Sequence, residues 1–263
     1  MSESSIDRAA GLLATLHASH DRLAAALGSL TADQATTQSF CADWSVAQVA
    51  SHLGSGAEIF RLHLAAGLKG EEAMPNDVYP PIWDAWNAKP PLEQVRDAVA
   101  TDAAFLDDID ALSDDERERW HLHLFGMEQN LPTFLQFRLN EHALHTWDVV
   151  VSFDPAATLP EDATSYVVDS LGAVVGWAGK PTDAQASVEV RTTAPERAFH
   201  LVLGPGGAAL KPSLDDTDAA ELVLPAEAFV RLVYGRLDPD HTPPTVVARG
   251  IDLDLLRSVF PGL

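Results

Sequence analysis

The stretch RLNEHALHTWD, residues 138–148, decides the fold of the first half of this chain. It contains no proline or glycine and continues an apolar pattern that begins at Leu131 and has the spacing of a helix. Positions four apart share one face of a helix, so Glu141 and His145 are expected one turn apart. The pair is typical either of a weak interaction on a solvent-facing helix or of two ligands to one metal ion.

A third candidate ligand lies far upstream. His52 belongs to a segment whose apolar residues have helical spacing, so its side chain is expected to point toward a core. It is either a buried histidine satisfied by one hydrogen bond or a metal ligand. Three protein ligands would leave a divalent metal one open position for chemistry.

The composition argues against several classes of partner. The chain has 263 residues, 46% of them hydrophobic, and a formal net charge of -22 from 39 acidic and 17 basic residues. Nucleic acid and anionic membranes both attract basic proteins, so neither is an expected partner. The sequence has no run of eighteen apolar residues, no secretory signal at its N-terminus and one cysteine, Cys41. We therefore expect a bacterial cytoplasmic enzyme without disulfides.

Apolar periodicity predicts four helices in the first half. They cover residues 5–28, 46 to about 68 with Ser45 as N-cap, 92–112 and 130–153. Four helices joined by mostly short polar connections favour an up-down four-helix bundle, where metal ligands project inward from facing helices.

Two connecting segments carry residues of interest. Residues 70–91 contain five prolines and two tryptophans, and we expect a long loop that is either a lid over a site or a passive connection. Residues 120–126 alternate polar and apolar side chains, which indicates a brief strand or an extended turn. An extended backbone would place His121 and His123 on one face as a rival metal site.

The periodicity changes beyond residues 154–160, whose composition is that of a linker. A helix is expected over 161–178, with further helices over 226–234 and 253–259. Strands are expected over 186–192, 198–203, 219–224 and 245–249. The chain is therefore predicted as a bundle over 1–153 followed by an α+β domain over 161–263.

The first half resembles the DinB-like four-helix bundles, and among them the mycothiol-dependent maleylpyruvate isomerase family. The matching motifs are DWSV at residues 43–46, leading to His52, and EHALHTWD at residues 141–148. The second half resembles the α+β C-terminal domain of that family, which is similar to sterol-carrier proteins. Its matching motifs are AEAFVRLVYGR at 226–236, VARG at 247–250 and FPG at 260–262.

The resemblance implies a divalent metal, with zinc as first candidate, bound by His52, Glu141 and His145. It also implies a cytoplasmic enzyme that uses mycothiol, a low-molecular-weight thiol. A thiol bound to a metal loses its proton, and the thiolate is the nucleophile. Such an enzyme would isomerise maleylpyruvate from cis to trans, or transfer mycothiol to an electrophile in detoxification.

A carboxylate substrate needs a fixed cation, and Arg236 is our first candidate for this catalytic role. It follows Gly235 at the end of a predicted helix, where the resemblance supports an arginine. The alternative is that Arg236 only complements the helix C-terminus. Arg138 and Arg249 are weaker candidates.

Other readings remain open. The chain could be a non-catalytic binding protein that holds an apolar ligand in its sterol-carrier-like half. A metal could also serve stability alone, in a closed site with His142 or His63 as fourth ligand. Asp148 would either orient the imidazole of His145 or be a surface acid. Cys41 is expected to be a small packing residue.

Overall fold

The first of two compact units extends to Ala157, and the second begins at Thr158. The structure is a computed structural model that describes residues 5–124, 126–213, 216 and 219–262. Residues 1–4, at the N-terminus where the sequence analysis expects no secretory signal, lie outside the described residues. The helices of the first unit are α1 (Ser5–Leu27), α2 (Ala32–Ala35), α3 (Val46–Lys69), α4 (Tyr79–Asn87), α5 (Pro91–Asp110), α6 (Asp114–Arg119) and α7 (Leu131–Val150).

The four long helices form the predicted four-helix bundle. Helix α3 packs against α5 and α7, and α1 packs against the same two helices. The ring order is therefore α1–α5–α3–α7, so that α1 and α3 lie across the ring from each other. This order makes α3 and α7 neighbours, which brings the two helices with candidate metal ligands side by side.

Helix α3 begins where the sequence predicts. The Ser45 side chain accepts from the backbone N–H of Gln48, and the Gln48 side chain accepts from the backbone N–H of Ser45. The helix ends at Gly70, whose φ of +66° is left-handed. Inside the helix, a Cβ at Gly54 would lie 2.3 Å from the indole of Trp86, so this glycine permits close packing.

The prediction of a long loop over residues 70–91 was wrong. This segment contains a 3-10 turn, Asn76–Val78, followed by helix α4. Prolines are tolerated in the first turn of a helix, where their missing N–H is not needed, and Pro80 and Pro81 stand there. Trp86 is buried and donates its indole N–H to Glu58 at 2.7 Å, whereas Trp83 is 44% exposed.

A short hairpin connects α6 to α7. Strand β1 (His121–Leu124), where the sequence indicated either a brief strand or an extended turn, pairs antiparallel with β2 (Met127–Asn130), which the sequence analysis missed. Phe125 of the predicted segment lies outside the described residues. The Asn130 side chain then accepts from the backbone N–H of Thr133 and caps α7, which ends three residues earlier than predicted.

The second unit is an α+β domain. Its elements are α8 (Glu161–Ala178), β3 (Ala186–Thr193), β4 (Arg197–Gly204), β5 (Gly207–Pro212), β6 (Ala220–Pro225), α9 (Ala226–Val233), β7 (Val247–Arg249) and α10 (Leu253–Val259). The sheet order is β5–β4–β3–β6–β7, with β3 and β6 parallel and the other pairs antiparallel. The predicted helices and four of these strands are confirmed. Strand β5 was missed because its short sequence, GAALKP, carries a weak pattern.

Among the residues described, no helix combines the length and apolar character that a bilayer-spanning segment needs.

Candidate metal centre

Two neighbouring helices bring the three predicted ligands together. His52 lies on α3, and Glu141 and His145 lie one turn apart on α7. His52 Nε2 is 3.1 Å from Glu141 Oε2, and His145 Nε2 is 3.7 Å from the same oxygen. The two imidazole rings stand edge to face, with centroids 4.6 Å apart. One potential ligand atom from each residue lies within 4.8 Å of the other two.

A buried carboxylate orients one of the two imidazoles. His145 Nδ1 lies 2.8 Å from Asp148 Oδ2, and Asp148 is fully buried, so it is not a surface acid. The carboxylate holds the proton on Nδ1, which leaves Nε2 as the acceptor that faces Glu141. Burial lowers the pKa of His145, although its hydrogen bond with Asp148 opposes this effect. The neutral imidazole, the form that binds metals, is therefore favoured.

The loop before α3 closes one side of the cluster. The Trp44 ring lies 5.1 Å from the His52 ring and 6.1 Å from the His145 ring, centroid to centroid. The Cys41 thiol donates to Asp148 Oδ2 at 3.2 Å, so Cys41 packs against the carboxylate that orients His145. Our sequence analysis did not single out Trp44 as a site residue, although the DWSV motif contains it. Cys41, His145 and Asp148 form a second group of potential ligand atoms.

Beside the candidate ligands, α7 carries a buried polar network that the sequence analysis missed. The Asp102 carboxylate on α5 accepts from Arg138 Nη2 at 2.6 Å, and its other oxygen lies 3.0 Å from His142 Nε2 and 2.8 Å from His20 Nδ1. Burial alone would raise the pKa of the Asp102 carboxyl, but the charges of His142 and Arg138 hold that pKa well below its usual value. Arg138 is 1% exposed, which removes it as a substrate-binding candidate.

Neither suspected fourth ligand joins the cluster. His142 is fully buried, and its Nδ1 lies 2.8 Å from Ser19 Oγ on α1. His63 is buried, and its Nε2 lies 3.1 Å from the hydroxyl oxygen of Tyr79. Within the part of the chain that the structure describes, the potential ligand groups contain neither histidine.

The rival histidine pair lies exposed on the hairpin. His123 Nδ1 is 3.0 Å from the carboxylate of Glu128 on the neighbouring strand, and His121 Nδ1 contacts the carbonyl oxygen of Arg119. Among the described residues, neither histidine belongs to a set of three converging ligand atoms, so the rival metal site is not supported.

The arginine proposed for substrate lies in the second unit. Arg236 is half-buried directly after Gly235, and its Nη1 donates to the carbonyl oxygen of Tyr234 at 2.8 Å. Arg249 is exposed and pairs with Glu221 on the neighbouring strand. A Cβ at Gly235 would lie 2.3 Å from the backbone of Gly262, so the helix end and the terminal FPG motif pack together.

Comparisons with known proteins agree over both units. The family described as Mycothiol maleylpyruvate isomerase N-terminal domain matches residues 16–150, and the MDMPI C-terminal domain matches residues 158–257. The crystal structure of the mycothiol-dependent maleylpyruvate isomerase is 14% identical in sequence, with a TM-score of 0.64 over 87% of this chain and 89% of that chain. The structure of a histidine-to-alanine mutant of that enzyme gives the same values. No curated protein matches the chain. The two domain matches together identify the chain as a member of the mycothiol maleylpyruvate isomerase family.

Proposed function

We propose that this protein is a metal-dependent enzyme that uses mycothiol, either to isomerise maleylpyruvate from cis to trans or to add the thiol to a related electrophile. The observation that carries the proposal is the convergence of His52 Nε2, Glu141 Oε2 and His145 Nε2 from two different helices. The family supports the thiol, and the donor atoms support the metal.

The donor set fits a zinc ion. Two imidazole nitrogens and one carboxylate oxygen are ligands that zinc accepts in catalytic sites. Two atoms that each lie about 2.1 Å from one tetrahedral zinc are about 3.4 Å apart. The nitrogen-to-oxygen distances of 3.1 Å for His52 and 3.7 Å for His145 fall on either side of that value. The fit supports an ion held among the three side chains.

The protein's own residues prepare the site. Asp148 keeps the proton of His145 on Nδ1, so that Nε2 keeps its lone pair directed at the cluster. The Trp44 ring lies near both imidazole rings, on one side of the cluster. Zinc, when bound by three protein ligands, supplies an open position at which the pKa of a thiol falls.

The reaction follows from thiol chemistry. Mycothiol supplies the nucleophile: addition of its sulfur to the cis double bond leaves a single bond, which rotates before the sulfur departs. In the transfer reaction the carbon–sulfur bond forms and persists. Arg236 is proposed to bind the substrate carboxylate, for which the planar guanidinium offers paired donors.

Elemental analysis tests the metal part of this proposal. Purified protein is expected to hold about one equivalent of zinc, and His52→Ala and His145→Ala are expected to lose it. His121→Ala, which removes an exposed histidine of the hairpin, is the matched control and should retain the metal. Absence of stoichiometric metal after reconstitution with zinc would refute the proposal and favour a non-catalytic binding protein.

Product analysis separates the two reactions. With maleylpyruvate and mycothiol, an isomerase yields the trans isomer and leaves the thiol concentration unchanged. With a model electrophile, a transferase consumes one thiol for each molecule of product. Loaded protein that does neither would contradict the enzymatic proposal and leave the metal a structural role.

A further inference from the structure

We propose that Arg138 is a positioning residue for the metal centre, because its guanidinium holds α7 against α3 and so sets the separation of Glu141 and His145 from His52. The inference rests on the proposed function, since it concerns the same three ligands.

One nitrogen of Arg138 joins three helices. Its Nη2 donates to the carbonyl oxygen of Leu53 on α3 at 3.1 Å and to Asp102 on α5 at 2.6 Å, while Arg138 itself belongs to α7. Leu53 directly follows His52, and Arg138 precedes Glu141 by one turn. The contact between α3 and α7 therefore lies beside the candidate ligands.

The guanidinium occupies a closely fitted space. A Cβ at Gly56 would lie 3.1 Å from Nη1, a contact tight enough that the guanidinium would have to move by a few tenths of an ångström. The rings of Phe60 and Phe105 lie 5.7 Å and 5.9 Å from Cζ. The guanidinium therefore lies between the backbone of α3 at Gly56 and two aromatic rings.

Asp102 fixes this arrangement from the opposite side. Its carboxylate balances the buried charge of Arg138, which would be costly without a partner. Its second oxygen contacts His142 and also His20 on α1. Since Arg138 and His142 stand on either side of Glu141 in the sequence, these contacts restrict the rotation of α7 about its axis.

Small displacements matter at such a site. The ligands come from two helices, and a productive metal geometry tolerates errors of only about 0.5 Å in their positions. A group that keeps the spacing of α3 and α7 is therefore expected to affect metal affinity without touching the metal. Supporting groups of this kind typically change metal affinity by about 10- to 100-fold.

Cobalt binding by the full chain tests the inference with two variants. Arg138→Lys keeps the charge but loses the planar fork, and Gly56→Ala crowds Nη1 without removing any polar group. The controls are Arg231→Lys, a buried arginine paired with Glu227 in the second unit, and Gly172→Ala, where an added Cβ meets nothing within 4 Å. Affinity for Co²⁺ and its visible absorption are measured below the unfolding temperature of each variant.

We expect the Kd for Co²⁺ to rise about 10-fold or more in both test variants, with an altered absorption spectrum, and to stay within about twofold in both controls. Test variants that lose thermal stability but bind Co²⁺ like the wild type would overturn the inference. If Arg138→Lys does not fold, Gly56→Ala decides by the same criterion. Failure of the wild type to bind Co²⁺ would instead refute the proposed function, and the inference with it.

Discussion

Asp148 Oδ2 lies 2.8 Å from Nδ1 of His145, and this carboxylate is fully shielded from solvent. Its position one turn further along α7 means that the same helix supplies a candidate ligand and the group that orients it. The Cys41 thiol donates to the same oxygen, so the loop before α3 also contacts the Asp148 carboxylate. A substitution of Asp148 therefore tests whether this carboxylate contributes to metal binding.

Loss of the Asp148 carboxylate should weaken metal binding. Asp148→Ala removes the acceptor that holds the Nδ1 proton of His145, and we expect the Kd for zinc to rise by about 10- to 100-fold. Asp148→Asn keeps a hydrogen-bond acceptor but no charge, so its Kd for zinc should lie between those of Asp148→Ala and the wild type. Competition with a chromophoric chelator measures the Kd. Asp108→Asn, at an exposed pair with Arg61, is the control; equal affinities in all variants would contradict the prediction.

Tryptophan fluorescence should report metal binding through one residue. The Trp44 ring lies near both candidate imidazoles, with centroids 5.1 Å and 6.1 Å away, so Co²⁺ at the site is expected to quench its emission by energy transfer. In Trp44→Phe the metal-dependent change should largely disappear. Trp177→Phe, at a 56% exposed position of the second unit, should leave it intact. A full response in Trp44→Phe would show that the metal binds elsewhere.

Metal removal should lower thermal stability. The unfolded chain does not hold α3 and α7 together, so binding to the folded state adds about 2.7 kcal/mol when free metal is a hundredfold above Kd. Thermal unfolding with and without a chelator measures the difference. The chelator should have no effect on His52→Ala, and an identical shift in that variant would argue for a different metal site.

The Asp102 network should make stability fall in acid. Burial opposes ionisation of Asp102, yet His142 and Arg138 keep its folded-state pKa well below the unfolded value of 3.8. Its stabilising contribution is thus fully present above about pH 4 and is lost as the pH falls toward the folded-state pKa. Asp102→Asn should be less stable at pH 7, by about 3–5 kcal/mol, because Arg138 stays buried without its counter-charge.

Urea unfolding at several pH values below 5 compares this variant with the wild type. The stability of Asp102→Asn should depend less steeply on pH in that range, whereas Asp108→Asn should follow the wild type. Parallel pH profiles for the wild type and Asp102→Asn would show that the folded-state pKa of Asp102 is not depressed.

Substitution of Arg236 should weaken the binding of substrate and leave the binding of metal unchanged. In Arg236→Ala we expect a higher KM for a carboxylate substrate, a lower kcat/KM by about 10-fold or more, and unchanged zinc content. Arg249→Ala, at an exposed pair with Glu221, is the control. Steady-state kinetics on maleylpyruvate measure the effect, and kinetics unchanged from the wild type would remove Arg236 from the substrate site.

Local patterns predicted most of the helices because the apolar residues of each buried face recur at helical spacing within its own sequence. Ser45 marked the start of α3 through its capping chemistry. Strand β2 and helix α4 were missed for a different reason. The MEQN sequence of β2 has no strong strand preference and depends on pairing with β1, and Pro80 and Pro81 looked like helix breakers although they start a helix.

The buried network shows a signal that was overlooked. Asp102 stands on the apolar stripe of α5, between Ala98 and Phe105, and Arg138 stands on the stripe of α7. Opposite charges on the buried faces of two helices predict an ion pair in the core, because neither charge is stable there alone. Spacing alone could bring Glu141 and His145 together, but their meeting with His52 depends on the ring order of the bundle.

The division of the chain after Ala157 has an evolutionary consequence. The candidate metal ligands, with Arg138 and Asp102, precede that point, and Arg236 follows it. Under the proposed function, selection could therefore alter the second half, by point mutation or by exchange of the whole segment, while the proposed metal ligands of the first half are kept. New substrate preferences can arise in such a lineage without passing through an ancestor that has lost its reactive centre.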